Sequence, residues 1–239
     1  MIETKLFKTR TGEFHLPVDA PNCGMCTEIR EGGVYDKEIV DALLYYIRPH
    51  STVVDAGACY GQMSVIFSRM VGPSGSVVAI EANHDLYEIV LKNIVENQCP
   101  VRSAGEGAVL HAAAWDVGGI DLLFPNADIK NTPYQCYGCW GLAMKSSLGY
   151  HKVKSLAIDD LHLDNVSAIK IDVQGADLRA LRGCVDTIRR CKPVIVYEYE
   201  PQFSEELGCK EEEYAEFVKD IGYVVKAEVK PRNYLIMPK

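Results

Sequence analysis

Residues 53–64 read VVDAGACYGQMS, an apolar run that ends at Asp55 and leads into a loop with glycines at positions 57 and 61. The run is short and β-branched, which predicts a strand over 51–57, and helical spacing of apolar residues follows over 61–71. Glycines directly after a strand let a ligand lie against the backbone. The stretch therefore predicts a strand, a ligand-binding loop and a helix, in that order.

The alternation of strands and helices continues on both sides of this stretch. Strands are predicted over 76–81, 108–115, 120–124, 153–158, 167–173 and 193–200, helices over 36–47, 84–97, 176–191 and 211–222, and a last strand pair at 223–229 and 233–238. This order predicts an α/β fold with a mainly parallel sheet, helices on both faces and a terminal antiparallel hairpin. We expect one domain over 1–239, with 1–34 as an N-terminal extension and 125–150 as a long substrate-side loop.

The composition limits the classes of partner. The net charge of -8 does not suit a surface that neutralises phosphates, so we expect no nucleic-acid partner. No apolar run reaches the roughly 18 residues of a membrane helix, and the first residues lack the apolar core of a signal peptide. We expect a cytoplasmic protein that acts on a small molecule or glycan without a membrane partner, and self-association stays open.

Acidic residues stand at the ends of four apolar strands: Asp55, Glu81, Asp172 and Glu198. Ligands of parallel α/β sheets bind beyond these strand ends, where an acid such as Glu81 can accept hydrogen bonds from ribose hydroxyls. The loop reads D-x-G-x-x-x-G and departs from the G-x-G-x-x-G of dinucleotide sites. An acid at its head suits the cationic S-adenosylmethionine better than a polyphosphate. An NAD-linked oxidoreductase and a non-catalytic adenosyl-binding protein remain as alternatives.

Three stretches carry a family resemblance: VVDAGACYGQMS, then VVAIEANHDLYEIVLKNI over 77–94, and SAIKIDVQGADLRALRG over 167–183. Together they resemble the FkbM-type family of S-adenosylmethionine-dependent methyltransferases over roughly residues 33–200. Gln174 and Asp177 stand where that family usually has glutamate. The resemblance implies a seven-stranded, Rossmann-like class I methyltransferase fold and O-methylation of a hydroxyl of a sugar, glycan or natural-product small molecule.

The resemblance also implies roles for individual residues in binding the cofactor. The methionine part is assigned to Asp55, Gly57 and Gly61, with Tyr60 beside them, and the ribose to Glu81. The adenine side is assigned to Ala82, Asn83, Ala113 and Ala114. Asp172 is expected beside the transferred methyl group, and Glu38 matches a glutamate often found ahead of the first strand.

A hydroxyl acceptor must lose its proton, which a general base can assist. The candidates are Asp172 and His151, the latter at the end of the long loop. Aromatic side chains among small residues of that loop suit a sugar ring or planar acceptor, so Tyr137 and Trp140 are expected at the acceptor, together with Glu198.

Two kinds of metal site remain open. Asp172 and Glu198 could share a divalent cation, because hard cations bind carboxylate oxygens. Cys23-Gly-Met-Cys26 and Cys136-Tyr-Gly-Cys139 form two C-x-x-C pairs that could hold zinc through four thiolates. Without an export signal, we expect the nine cysteines to be reduced.

Overall fold

The computed structural model describes residues 2–100 and 109–239. The strands are β1 (Thr4–Thr9), β2 (Gly12–Pro17), β3 (Thr52–Ala56), β4 (Ser76–Glu81), β5 (Val109–His111), β6 (Ala113–Ala114), β7 (Asp121–Pro125), β8 (Tyr150–Leu156), β9 (Val166–Ile171), β10 (Val194–Glu198), β11 (Tyr223–Lys230) and β12 (Asn233–Pro238). The helices are α1 (Gly24–Arg30), α2 (Lys37–Leu44), α3 (Gln62–Val71), α4 (His84–Glu96), α5 (Asp177–Arg182), α6 (Val185–Cys191), α7 (Pro201–Ser204) and α8 (Glu211–Asp220). In the part of the chain so described, no helix is both long and apolar enough to cross a membrane.

A seven-stranded sheet forms the centre of the molecule, in the order β11-β12-β10-β9-β3-β4-β5. β10, β9, β3, β4 and β5 run parallel, while β12 runs antiparallel to both of its neighbours. The predicted mainly parallel sheet and terminal antiparallel pair are thus confirmed. The chain winds outward in opposite directions from the adjacent strands β3 and β9, and such a reversal point is where α/β sheets bind ligands.

Successive side chains of a strand point to opposite sides of the sheet. Both faces are buried because helices pack on each of them. Val53 of β3 packs with α2 and α3, where Leu43 and Phe67 are fully buried. Val54 packs on the other face with α5 and α6, against residues such as Leu181 and Ile188. The near-continuous apolar sequences of these strands follow from this double burial.

Two predicted elements are divided in the structure. The helix expected over 176–191 is split into α5 and α6 at Gly183 and Cys184, where the backbone of Gly183 lies so close to the carbonyl oxygen of Trp115 that an added Cβ would overlap it. The strand expected over 108–115 is split into β5, which pairs with β4, and β6, which pairs with β8 in a separate three-stranded sheet. Residue 108 lies outside the described residues.

The N-terminal extension folds into a hairpin and a helix that the sequence did not predict. The hairpin β1–β2 docks on α4, where the side-chain amide of Asn93 donates to the carbonyl of His15 at 3.1 Å. Cys23, the N-cap of α1, forms a disulfide with Cys136 in the 125–150 loop, which corrects the expectation that all the cysteines are reduced. The extension is thereby joined covalently to the long loop.

Candidate functional site

A cavity of about 300 Å³ lies at the carboxyl ends of the parallel strands, beside the reversal point between β3 and β9. This volume is at the lower end of the range for small-molecule sites, about 300–1,000 Å³. Three separate parts of the chain line it: the N-terminal extension, the strand ends and the 125–150 loop. Representative lining residues of these parts are Met25, Asp55, Glu81, Asp172 and Trp140.

The loop after β3 is shaped by two glycines with positive φ. Gly57 has φ +79°, and an added Cβ would overlap the carbonyl oxygen of Asp172. Gly61 has φ +75° and serves as the N-cap of α3, where a side chain would be strained. The contact between Gly57 and the carbonyl of Asp172 brings the backbones of the loops after β3 and β9 together in the cavity wall.

A buried lysine joins the acidic ends of β3 and β9. The Nζ of Lys170 lies 3.4 Å from Oδ1 of Asp55 and 3.8 Å from Oδ2 of Asp172, and it donates to the carbonyl of Gly57 at 2.6 Å. Burial alone would lower the pKa of Lys170, but the carboxylates of Asp172 and Asp55 outweigh it, so the pKa is raised. Lys170 therefore stays charged and compensates two strand-end carboxylates at once.

Asp55 is fully buried and presents an open acceptor position. Its Oδ2 accepts from the hydroxyl of Ser64 at 2.6 Å. Its Oδ1 has the nearby Lys170 but makes no hydrogen bond with any described residue. A buried acceptor without a donor is costly unless a ligand completes it.

Glu81 lies at the end of β4 with both oxygens held by backbone donors. The N–H of Cys59 donates to Oε2 at 2.8 Å and the N–H of Asn83 donates to Oε1 at 2.9 Å. Burial raises the pKa of Glu81 to about 7, although these two hydrogen bonds and Lys170 oppose the shift. The carboxylate is oriented toward the cavity and changes charge near neutral pH.

At the other end of the cavity, a glutamine amide links two carboxyl groups. Nε2 of Gln174 lies 3.1 Å from Oδ1 of Asp172 and 3.4 Å from Oε2 of Glu198. Burial, followed by the charges of Asp172, Asp177 and Glu200, raises the pKa of Glu198 to about 10. Unless a cation binds beside it, Glu198 therefore keeps its proton near neutral pH.

The structure adds cavity residues that the sequence analysis missed. Tyr35 and Asp36 come from the turn before α2, Lys230 from the end of β11, and Glu200 from the turn before α7. Lys230 forms an ion pair with Asp36 and lies 5.5 Å from the ring centre of Tyr35. Asp36 is the first residue of the helix predicted over 36–47, and Glu200 is the last residue of the strand predicted over 193–200. Only the tertiary fold brings these two acids to the other strand ends.

Most of the predicted site residues line the cavity: Asp55, Gly57, Tyr60, Glu81, Ala82, Ala113, Ala114, Trp140, Asp172 and Glu198. Gly61 and Asn83 lie behind this lining and position it, as the N-caps of α3 and α4. Tyr137 is buried, and its hydroxyl donates to Asp19 at 2.9 Å rather than reaching the cavity. Glu38 is exposed in the first turn of α2, and Asp36, two residues earlier, lines the cavity in its place.

His151 lies in a group of rings outside the cavity lining. Its ring centre is 6.4 Å from that of His84 and 6.5 Å from that of His111, and His111 pairs in register with Glu81. Its Nδ1 lies 2.9 Å from Oδ1 of Asn126. Burial lowers the pKa of His151, while the backbone of Ala82 opposes the shift. The structure therefore places it on the Glu81 side of the site.

The residues proposed for metal binding do not form a cluster of metal ligands in the part of the chain that the structure describes. Over residues 2–100 and 109–239, no three His, Cys, Asp or Glu side chains are grouped as metal ligands. Cys23 is bonded to Cys136, while Cys26 is a buried free thiol and Cys139 is a free thiol in the cavity lining. Asp172 and Glu198 remain neighbours through the amide of Gln174.

Comparison with known families finds one match over most of the chain. The family model of the methyltransferase FkbM domain matches residues 55–225. The matched region contains the β3 loop, Glu81, the IKIDV strand and Glu198, and it ends within β11. Among curated protein sequences, none matches significantly.

Solved structures share the fold at low sequence identity. A Clostridium thermocellum protein assigned as an rRNA-methylase has a TM-score of 0.51 and 12% identity, over 84% of this chain and 92% of that one. Methyltransferase FkbM from Methylobacillus flagellatus KT has a TM-score of 0.50 and 16% identity, over 82% of this chain and 49% of that one. SMU.1697c from Streptococcus mutans, assigned as a methyltransferase and in complex with SAH, has a TM-score of 0.50 and 10% identity, over 84% of this chain and 94% of that one. The chain thus spans about half of the FkbM chain.

Proposed function

Since this chain belongs to the FkbM methyltransferase family, we propose that it methylates a hydroxyl oxygen of a sugar, glycan or natural-product small molecule. The family match covers residues 55–225 and makes the chain an S-adenosylmethionine-dependent methyltransferase of class I fold. The family match argues against the alternative of an NAD-linked oxidoreductase, and the assay below tests the alternative of a non-catalytic adenosyl-binding protein. The oxygen acceptor is the part that we propose.

The residues present fit the cofactor. The oriented carboxylate of Glu81 suits the ribose hydroxyls, and the unpartnered Oδ1 of Asp55 suits the amino-acid part of S-adenosylmethionine. Three alanines of the lining leave room for a flat base on the Glu81 side: Ala82, Ala113 and Ala114. When bound, the cofactor supplies an electrophilic methyl carbon.

The observation that carries the proposal is the position of Asp172 in the cavity wall. Its carboxylate is about three-quarters buried, accepts from Gln174 at 3.1 Å and lies 3.8 Å from the charged Lys170. A hydroxyl directed at this carboxylate can give up its proton while its oxygen bonds to the methyl carbon and the carbon–sulfur bond breaks. Positioning within the cavity accounts for most of the remaining rate.

The size and chemistry of the cavity favour a small acceptor. The acidic chain, with net charge -8, supports a small molecule or glycan over nucleic acid. Trp140 and Tyr35 add aromatic surface to the cavity lining, which suits the face of a sugar ring.

The test is a methyltransferase assay with the purified chain, S-adenosylmethionine and a panel of sugars, glycans and polyol natural products. Mass spectrometry should detect the gain of one CH₂ unit, and fragmentation should locate it on oxygen. Formation of S-adenosylhomocysteine without any O-methylated product from the panel would contradict the oxygen acceptor.

A further inference from the structure

The acceptor end of the cavity contains more acidic groups than cations to balance them. Asp36 is paired with Lys230, and Asp172 shares Lys170 with Asp55. Glu198 and Glu200 line the same end of the cavity. These two glutamates differ from the paired acids in their surroundings.

Glu198 has amide partners in place of a cation. Its Oε1 accepts from Asn233 at 3.3 Å and its Oε2 from Gln174 at 3.4 Å, and no described lysine or arginine forms an ion pair with it. Its backbone N–H donates to the fully buried Asp177 at 3.1 Å, which adds another carboxyl group nearby. A cation beside Glu198 would favour the ionised form of its carboxyl group, because it would offset the neighbouring carboxyl groups that raise its pKa.

Glu200 is incompletely satisfied. Its Oε1 lies 3.9 Å from the guanidinium of Arg232, whose side chain is 55% exposed, so this pair is weak. Its Oε2 is buried and makes no hydrogen bond within the described chain. A donor supplied by a ligand would satisfy this oxygen.

Trp140, another residue of the cavity lining, carries an open position of opposite polarity. Trp140 is only 4% exposed, and its indole N–H has no acceptor among the described residues. An indole N–H can only donate, so it suits a hydroxyl or ring oxygen of the acceptor. The cavity thus offers one buried donor for oxygen and two carboxyl groups for a cation.

We propose that the acceptor carries a protonated amine near the methylated hydroxyl, and that Glu198 and Glu200 bind this amine while Trp140 binds an acceptor oxygen. This inference rests on the proposed O-methylation, and it narrows the substrate to amino sugars and related amino alcohols. An ammonium provides up to three donors, which match the open oxygen of Glu200 and the cation-free Glu198. The divalent cation considered for Asp172 and Glu198 would compete for the same carboxylates.

The first experiment compares amines with their neutral partners. D-glucosamine, D-galactosamine and their N-acetyl derivatives are titrated calorimetrically into the protein saturated with S-adenosylhomocysteine, with and without EDTA. We expect the free amines to bind at least about tenfold more tightly than the N-acetyl compounds, the effect of one charge-assisted hydrogen bond. A panel without this preference overturns the inference, and so does binding that requires Mg²⁺. This readout does not depend on methyl transfer, so it separates the inference from the proposed function.

The second experiment replaces the two carboxyl groups by amides. Glu198→Gln and Glu200→Gln should each raise the Kd of the amine at least about tenfold and leave the Kd of S-adenosylhomocysteine within about twofold. Glu206→Gln, on an exposed glutamate, serves as the matched control and should change neither. A weaker Kd for S-adenosylhomocysteine would assign the two carboxylates to the cofactor. Methylation of the amine nitrogen itself, located by fragmentation, would also overturn the inference.

Discussion

The backbone N–H of Cys59, in the loop after β3, donates a 2.8 Å hydrogen bond to Oε2 of Glu81 at the end of β4. This bond ties the cofactor loop to a carboxyl group whose pKa burial raises to about 7. The ionised form accepts ribose hydroxyls better than the neutral form does. We therefore expect cofactor binding to be coupled to the loss of a proton from Glu81.

We expect the affinity for S-adenosylhomocysteine to fall as the pH drops below about 7, by up to tenfold per pH unit. Calorimetry between pH 5.5 and 8.5 measures the effect. Lys170, Asp55 and His111 also lie near Glu81, and burial lowers the pKa of His111, which favours its neutral form. Glu81→Gln should bind more weakly and lose the dependence near pH 7; an unchanged pH profile would contradict the assignment.

Asp172→Asn should lower kcat about 10²- to 10⁴-fold, the usual contribution of a general base. The substitution keeps the shape of the side chain and its contact with Gln174 while it removes the proton acceptor. Single-turnover assays with an acceptor from the panel provide the rate, and Asp220→Asn, on the exposed end of α8, is the control. A loss smaller than tenfold would leave catalysis to positioning alone.

Lys170→Met should destabilise the fold by about 3–5 kcal/mol, because it leaves the buried Asp55 without its cation and Asp172 without its neighbour. Urea unfolding followed by circular dichroism measures the free energy. Lys219→Met changes an exposed lysine of α8 and should have little effect. Equal stability of the two variants would refute the role given to Lys170.

Gly57→Ala should abolish measurable cofactor binding, because the added Cβ overlaps the carbonyl oxygen of Asp172 and forces the β3 and β9 loops apart. Gly119→Ala is a close control: Gly119 has a similar φ of +84°, but an added Cβ there has no neighbour within 4 Å. Comparing the two separates the overlap from backbone strain. Calorimetry with S-adenosylhomocysteine gives the result, and normal binding by the Gly57 variant would contradict the close approach.

Reduction of the Cys23–Cys136 disulfide should lower the free energy of unfolding by about 2–4 kcal/mol, since the bond closes a loop with a sequence separation of 113 residues. The double variant Cys23→Ser/Cys136→Ser should show the lower stability and no response to a reducing agent. Alkylation of the denatured, unreduced protein should modify seven cysteines, and nine after reduction. Nine modified cysteines without reduction would show that the bond is absent.

The sequence predicted the parts of the fold that depend on local pattern. Strand ends at Asp55, Glu81 and Asp172 could be located because an apolar run stops at a polar residue just before a helix. The break at Gly183 could not, since no local pattern marks the close approach of Gly183 to the carbonyl of Trp115. The hairpin β1–β2 was likewise missed because Asn93, on a distant helix, holds it in place.

The same distinction holds in the site. The end of the cavity that we assign to the cofactor is formed by strand ends that follow one another regularly along the chain, and these strand ends were predicted. The acceptor end joins Asp36 to Lys230, 194 residues apart, and no local pattern connects them. His151 was proposed from its place at the end of the long loop, whereas folding sets it beside His84 and His111.

The N-terminal extension has a consequence for how such an enzyme can be re-engineered. Met25, Ile29, Tyr35 and Asp36 all line the cavity, yet they precede residue 55, where the family match begins. Part of the cavity lining is thereby encoded in a segment outside the family match. Exchanging the N-terminal extension between relatives, together with its disulfide partner in the 125–150 loop, would change these lining residues. The strand ends of the matched domain would stay the same, so such exchanges offer a way to alter the acceptor.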